Sequence, residues 1–167
     1  AGLDLRTRDR AHDQFGFSVA GGRVQGHIDG VIVAAAIDMA LPALWECKTA
    51  NAKNWREIVK RGVVAAKPVY AAQIALYQAY MGLTDAPALF TAINKDTAEL
   101  HHELVPFDAD LAQRMSDRGV RILQATDAVI LKIGLRTIRN WPNRNSRREK
   151  AIEPKSRRET LLRLVRV

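Results

Sequence analysis

Between Pro68 and Gly82 the chain carries Val69, Ala71, Ala72, Ile74, Ala75, Leu76, Ala79 and Met81, which leaves a helix over this stretch almost no polar side. Proline suits the first helical position and glycine the residue after the last. A rod that is apolar all round must be buried, and its many alanines let a sheet approach closely. Strand-like stretches stand on both sides of it: residues 14–19, 23–34 and 43–49 before, 88–94 and 100–107 after. This order predicts an α/β domain with a mixed central β-sheet flanked by helices. Gly21-Gly22 between two β-prone runs signals a hairpin, and the first three strands read as an antiparallel meander. Residues 1–13 read as an edge strand or a loop. A short helix over 54–61 stops at Gly62. Asp108 caps a longer helix from about Ala109 to Ala128, with Leu111, Met115, Val120, Ile122 and Leu123 as an apolar stripe.

A chain of 167 residues is one domain with room for a sizeable core. No apolar run approaches the roughly 18 residues that a membrane helix needs. The first ten residues, with three Arg and two Asp, are unlike a signal peptide. The start at Ala1 rather than Met suits a processed or truncated chain. One cysteine, Cys47, allows neither an internal disulfide nor a cysteine-held cluster, and fits a reducing cytoplasm. Charge is unevenly placed. Residues 132–167 hold 12 Lys and Arg against 3 Asp and Glu, a net of +9 in a chain whose total is +8. We therefore expect a domain over 1–130 and a flexible basic tail over 131–167. Such tails contact nucleic acid or other polyanions, or are simply solvated ends.

The chemistry-bearing residues lie in Gly26-His27-Ile28-Asp29-Gly30 and Trp45-Glu46-Cys47-Lys48-Thr49. Residues two apart on a strand share a face. His27 therefore goes with Asp29, and Glu46 with Lys48, while Cys47 turns the other way, toward the core. If the two strands are neighbours, Asp29, Glu46 and Lys48 meet at one spot. Two carboxylates collect a hard divalent cation, and an ammonium beside them steers water or an oxyanion. That is a hydrolytic site for phosphodiesters; the plainer reading is a cross-strand salt bridge. Lys53, Arg56 and Lys60 recur at helical spacing, as a solvated face or as the border of a phosphate track that Lys95 would extend. Gln73, Tyr77 and Tyr80 form a polar-tipped stripe on the apolar helix. His101 and His102, on opposite faces of one strand, read as structural.

Asp29 on the second strand, Glu46-Cys47-Lys48 on the third and Gln73-Ile74-Ala75-Leu76-Tyr77 on the following helix together resemble the PD-(D/E)xK nuclease superfamily. The likeness is to the RecB-like and phage-type exonuclease branch, with its Cas4-like relatives, and covers roughly residues 15–125. It implies a restriction-endonuclease-like core and Mg²⁺- or Mn²⁺-dependent hydrolysis of DNA, most often as an exonuclease in phage recombination or repair. It implies DNA and a recombination or annealing protein as partners. Asp29, Glu46, the Cys47 carbonyl and His27 would hold the metal. Lys48 would orient water or stabilise the transition state, and Gln73 and Tyr77 would hold Lys48 or the scissile phosphate. Two departures stand out. The branch's upstream helix, with a Gly-His pair and an acidic residue, has no counterpart ahead of Phe15, so it either precedes Ala1 or is lacking. The four cysteines of the Cas4-like iron–sulfur cluster are absent, which excludes that cofactor. A catalytically silent DNA-binding module on the same fold is the alternative, and a plain α/β scaffold a third.

Overall fold

A computed structural model describes residues 2–133, with side chains through Asp127. Nearly all of the basic tail expected over 131–167 lies outside the described residues. The chain runs β1 (Leu3–Arg6), β2 (Gly16–Val19), β3 (Val24–His27), β4 (Gly30–Ala35), β5 (Ala43–Ala50), α1 (Ala52–Arg61), α2 (Val63–Ala66), α3 (Pro68–Met81), β6 (Ala88–Asn94), β7 (Leu100–Val105) and α4 (Ala109–Ile133). Five strands form one sheet in the order β1-β4-β5-β6-β7. Only β5 and β6 are parallel within it, and the helical crossover α1–α3 joins them, as a parallel connection requires. The expected mixed sheet flanked by helices is what the chain forms. None of the described helices is long and apolar enough to cross a membrane.

The expected three-strand meander is replaced by a different arrangement. Residues 23–34 are two strands, not one, because the chain bends at Ile28-Asp29. On one side of the bend, β3 pairs with β2 as a separate two-stranded ribbon, its last pair being His27 with Gly16. On the other, β4 enters the sheet between β1 and β5. The hydrogen bonds that hold the bend go to the start of β2: the Ile28 N–H donates to the Phe15 carbonyl at 3.0 Å, and Gln14 Nε2 donates to the Ile28 carbonyl at 3.2 Å. The hairpin loop turns through left-handed Ala20, Gly21 and Gly22, at φ 53°, 64° and 82°. Arg23 then ties the ribbon to α4, donating to Asp127 Oδ2 at 2.8 Å and to the Leu123 carbonyl.

Strand alternation sorts the core onto the two faces of the sheet. Ile28, Val31, Leu44, Ala88, Phe90, Ala92 and Val105 pack with Ile58, Val63, Ile74 and Met81 from the helices. Ile32, Ala43 and Leu89 make a smaller cluster on the opposite face, with Ala86 and the half-buried Leu5, Met39 and Trp45, and no described helix joins it. Pro68 opens α3 and left-handed Gly82, φ 69°, closes it, both as expected. Not all of α3 is buried, however: Val69 in its first turn is 77% exposed. Gln78, by contrast, is wholly buried and donates to the Ala86 carbonyl at 2.9 Å. Helix α1 starts earlier than expected, because Asn51 caps it by accepting the Asn54 N–H. The short α2 was not foreseen; Glu103 of β7 accepts the Val63 N–H at 2.8 Å and so holds its start. Asp108 caps α4 as expected, but α4 extends to Ile133. It packs on α3 with Ala112, Met115, Ser116 and Leu123 toward the protein, leaving Val120 and Ile122 of the anticipated stripe exposed.

Candidate active site

In β5, Leu44, Glu46 and Lys48 point to the helix-covered face, while Trp45 and Cys47 point to the other. Cys47 is therefore half-buried on the thinly covered side of the sheet rather than aimed into the main core, as the sequence had suggested. Burial, with the nearby Asp29 charge, pushes its thiol up. Gly30 faces Trp45 in the β4–β5 register, so the next step along each strand brings Asp29 toward Glu46. Asp29 sits in the bend, where β4 has left β3. Its Oδ2 accepts the Cys47 N–H at 2.8 Å, so a side chain of the bend bonds the β5 backbone beyond the last β4–β5 pair.

Glu46 is 1% exposed. Its Oε1 accepts the Lys48 ammonium, and its Oε2 has no hydrogen-bond partner among the described residues. An ion pair between neighbouring residues of one strand thus satisfies half of a buried carboxylate. Burial raises the Glu46 carboxyl above its ordinary value; the Lys48 ammonium opposes this without cancelling it, and the Asp29 charge adds to it. Burial pulls Lys48 down, but its hydrogen bond to Glu46 and the charges of Glu46 and Asp29 outweigh that, and the ammonium ends above its ordinary value. Lys48 accordingly keeps its positive charge.

Helix α3 roofs this spot. Gln73 and Tyr77, one turn apart, bond to each other, Gln73 Nε2 donating to the Tyr77 hydroxyl oxygen at 3.0 Å. The Gln73 amide is thus engaged by the phenol. The phenol keeps its own proton to donate. The ribbon holds Tyr77 from behind: Phe17 meets its ring edge-on at 5.7 Å and also packs on Tyr80 at 4.7 Å. Tyr80, last of the expected stripe, bonds Ser116 of α4 at 2.8 Å. Tyr70, also on α3, went unnoticed in the sequence; its ring centre lies 6.0 Å from Lys48 Nζ. The available signal was its spacing, three and seven residues ahead of Gln73 and Tyr77.

Gly26 makes this closure possible. A Cβ there would lie 2.6 Å from Phe17 Cε1 and 2.9 Å from Tyr77 Cε1. Gly26→Ala is therefore expected to push both rings aside, at a cost of about 1–3 kcal/mol in urea unfolding, the usual range for overpacking. Unchanged stability would show that the ribbon yields freely and does not fix Tyr77.

His27 stands exposed on the ribbon, with its ring edge against Gly16. Among the described residues no group of three or more His, Cys, Asp and Glu converges to hold a metal ion, so His27 does not join Asp29 and Glu46 in such a group. Lys53, Arg56 and Lys60 are all exposed on α1, and Lys95 is exposed on the β6–β7 turn. That turn docks at the start of α1, with the Lys95 N–H on the Ala50 carbonyl at 2.9 Å and Asp96 Oδ2 accepting the Ala52 N–H at 2.7 Å. Lys95 and Lys53 thus stand at the same end of the sheet, just past Lys48. His102 Nδ1 meets the Thr91 hydroxyl, which accepts Trp45 Nε1, both at 3.0 Å, and His101 lies 3.9 Å from Glu103. Both histidines thus have partners within the sheet, in keeping with a structural part. Compared with known proteins, the chain matches no family model, no curated protein and no solved structure.

Proposed function

We propose that this protein is a divalent-metal-dependent DNA nuclease, acting as an exonuclease in phage-type recombination or repair. The observation that carries this reading is the second oxygen of Glu46, buried, without a partner among the described residues, and next to Asp29. A carboxylate placed only to make a salt bridge gains nothing from that arrangement, since burial of the unpaired oxygen costs stability. Perturbed carboxyls held beside a second charge are characteristic of working sites.

The residues fit a hard cation: Glu46 offers Oε2 and Asp29 its second oxygen, and Mg²⁺ or Mn²⁺ commonly takes few protein carboxylates alongside water and substrate phosphate. A bound Mg²⁺ or Mn²⁺ would supply Lewis acidity toward the phosphate and acidify a water. The Cys47 N–H orients Asp29 for this. Lys48, kept above its ordinary pKa, does not serve as a base near neutrality; it stays cationic and offsets negative charge developing on the phosphate. Tyr77 offers its hydroxyl proton to a phosphate oxygen while Gln73 fixes its direction. Lys53, Arg56, Lys60 and Lys95 would carry the DNA backbone beyond the scissile bond.

That only two carboxylates come together among the described residues favours a second reading, a DNA-binding module without catalysis. End-labelled linear duplex and covalently closed circles, each with Mg²⁺ or with EDTA, separate the two. The nuclease reading expects the linear DNA to be shortened only with Mg²⁺, the circles spared, and Asp29→Ala inactive but folded. Tight binding without cleavage by the unaltered protein would establish the module instead.

A further inference from the structure

A lysine ammonium rides on a flexible four-carbon stem, and Lys48 is 25% exposed, so solvent lies within its reach. Its ion pair with Glu46 sets one distance and leaves the direction of approach open. Tyr70 closes the other side, its ring centre 6.0 Å from Nζ, at the outer range of a cation–π contact. The ring is itself held in place. It packs at 6.3 Å and 34° on Phe90, which is wholly buried and is the β6 residue paired with Glu46 in the β5–β6 register. A packed line therefore runs from Phe90 at the side of Glu46, through Tyr70, back to the ammonium that Glu46 binds.

We propose that Tyr70 is a positioning residue, whose ring holds the Lys48 ammonium beside Glu46 and keeps it from swinging into solvent. The role of that ammonium in cleavage rests on the nuclease reading; the hold of the ring on it does not. The aromatic face provides this hold, and the hydroxyl is not needed for it. Tyr70 also shields one side of the ion pair from water, which strengthens the attraction between Lys48 and Glu46.

Comparison of Tyr70→Phe, which keeps the ring, with Tyr70→Leu, which removes it, tests the proposal. Two readouts are taken on the same samples: the ring-current displacement of the Lys48 Cε protons by carbon-resolved NMR, assigned with Lys48→Met, and Mg²⁺-dependent cleavage of linear DNA. In Tyr70→Leu the Lys48 signal should move to the ordinary lysine position and kcat should fall roughly tenfold, the scale of one cation–π contact, with KM and Mg²⁺ affinity unchanged. Tyr70→Phe should keep both signal and rate. A Lys48 signal that does not move in Tyr70→Leu overturns the proposal, as does equal loss in Tyr70→Phe. A signal that moves only in Tyr70→Leu, in a protein that never cleaves DNA, upholds the hold on Lys48 and overturns the nuclease reading. Should Tyr70→Leu fail to fold, Tyr70→Met makes the same comparison.

Discussion

Glu46→Gln is expected to abolish Mg²⁺-dependent cleavage and, in the metal-free protein at neutral pH, to raise the melting temperature. The two effects share one cause. The folded Glu46 carboxyl lies above its ordinary value because burial disfavours the ionised form more than Lys48 favours it. Ionising it in the folded state therefore costs more than in the unfolded chain, and stability is lost as pH rises from the ordinary carboxyl range through the raised folded value. Glutamine does not titrate, so the variant escapes this loss. Below the ordinary carboxyl range both proteins carry a neutral side chain, and their melting temperatures should converge. Thermal melts in EDTA at about pH 3 and pH 7.5 check the stability half, and cleavage with added Mg²⁺ checks the chemical half. A lower melting temperature for Glu46→Gln at neutral pH would mean that the ion pair is a net stabiliser, as the salt-bridge alternative requires. Such stability gained on loss of a working group is a familiar trade at active sites.

Lys48→Ala should behave in the opposite sense. Cleavage is expected to fall by about 10²–10⁴-fold, the range for losing a group that offsets transition-state charge. Mg²⁺ affinity measured by calorimetry should persist, since both carboxylates remain. The fold, however, should weaken by about 1–3 kcal/mol, less than for a fully buried pair because the ammonium is partly exposed. Equal loss of metal binding in Lys48→Ala and Glu46→Gln would contradict this division of roles between the lysine and the carboxylate.

Much of the frame could be read from local chemistry. Pro68 and Gly82 mark α3 to the residue because each meets a requirement of helix ends that needs no partner elsewhere. Strand alternation likewise put Glu46 and Lys48 on one face. The break at Ile28-Asp29 was harder to place, because β-prone residues flank Gly26-His27-Ile28-Asp29-Gly30 on both sides and an Asp-Gly pair within a strand marks a bulge as readily as a change of neighbours. What makes the bend is a pair of hydrogen bonds to Gln14 and Phe15, distant enough in sequence to leave no local signature. Helix α2 escaped for the same reason, its first N–H being held by Glu103, forty residues on. Tyr70 was masked by the apolar run of α3, where only its spacing from Gln73 and Tyr77 places it on their side of the helix. The direction of Cys47 was misjudged because apolar neighbours on both faces of β5 suggest core on each side, whereas the helices lie on one.

The parallel pairing of β5 with β6 also dictates when the site comes into being. Glu46 is joined to Phe90 across the whole helical crossover, so its burial is a long-range event that local contacts cannot bring about. Such pairings incur their loop-closure entropy before any contact offsets it, and they form slowly. On a ribosome, Asp29, Glu46 and Lys48 emerge well before residues 88–94 exist to pair with them. Until then the carboxylates are solvated and bear no burial cost. The strain that later marks the site is therefore loaded late, by the closing of the sheet, after most of the chain that must support it has been made.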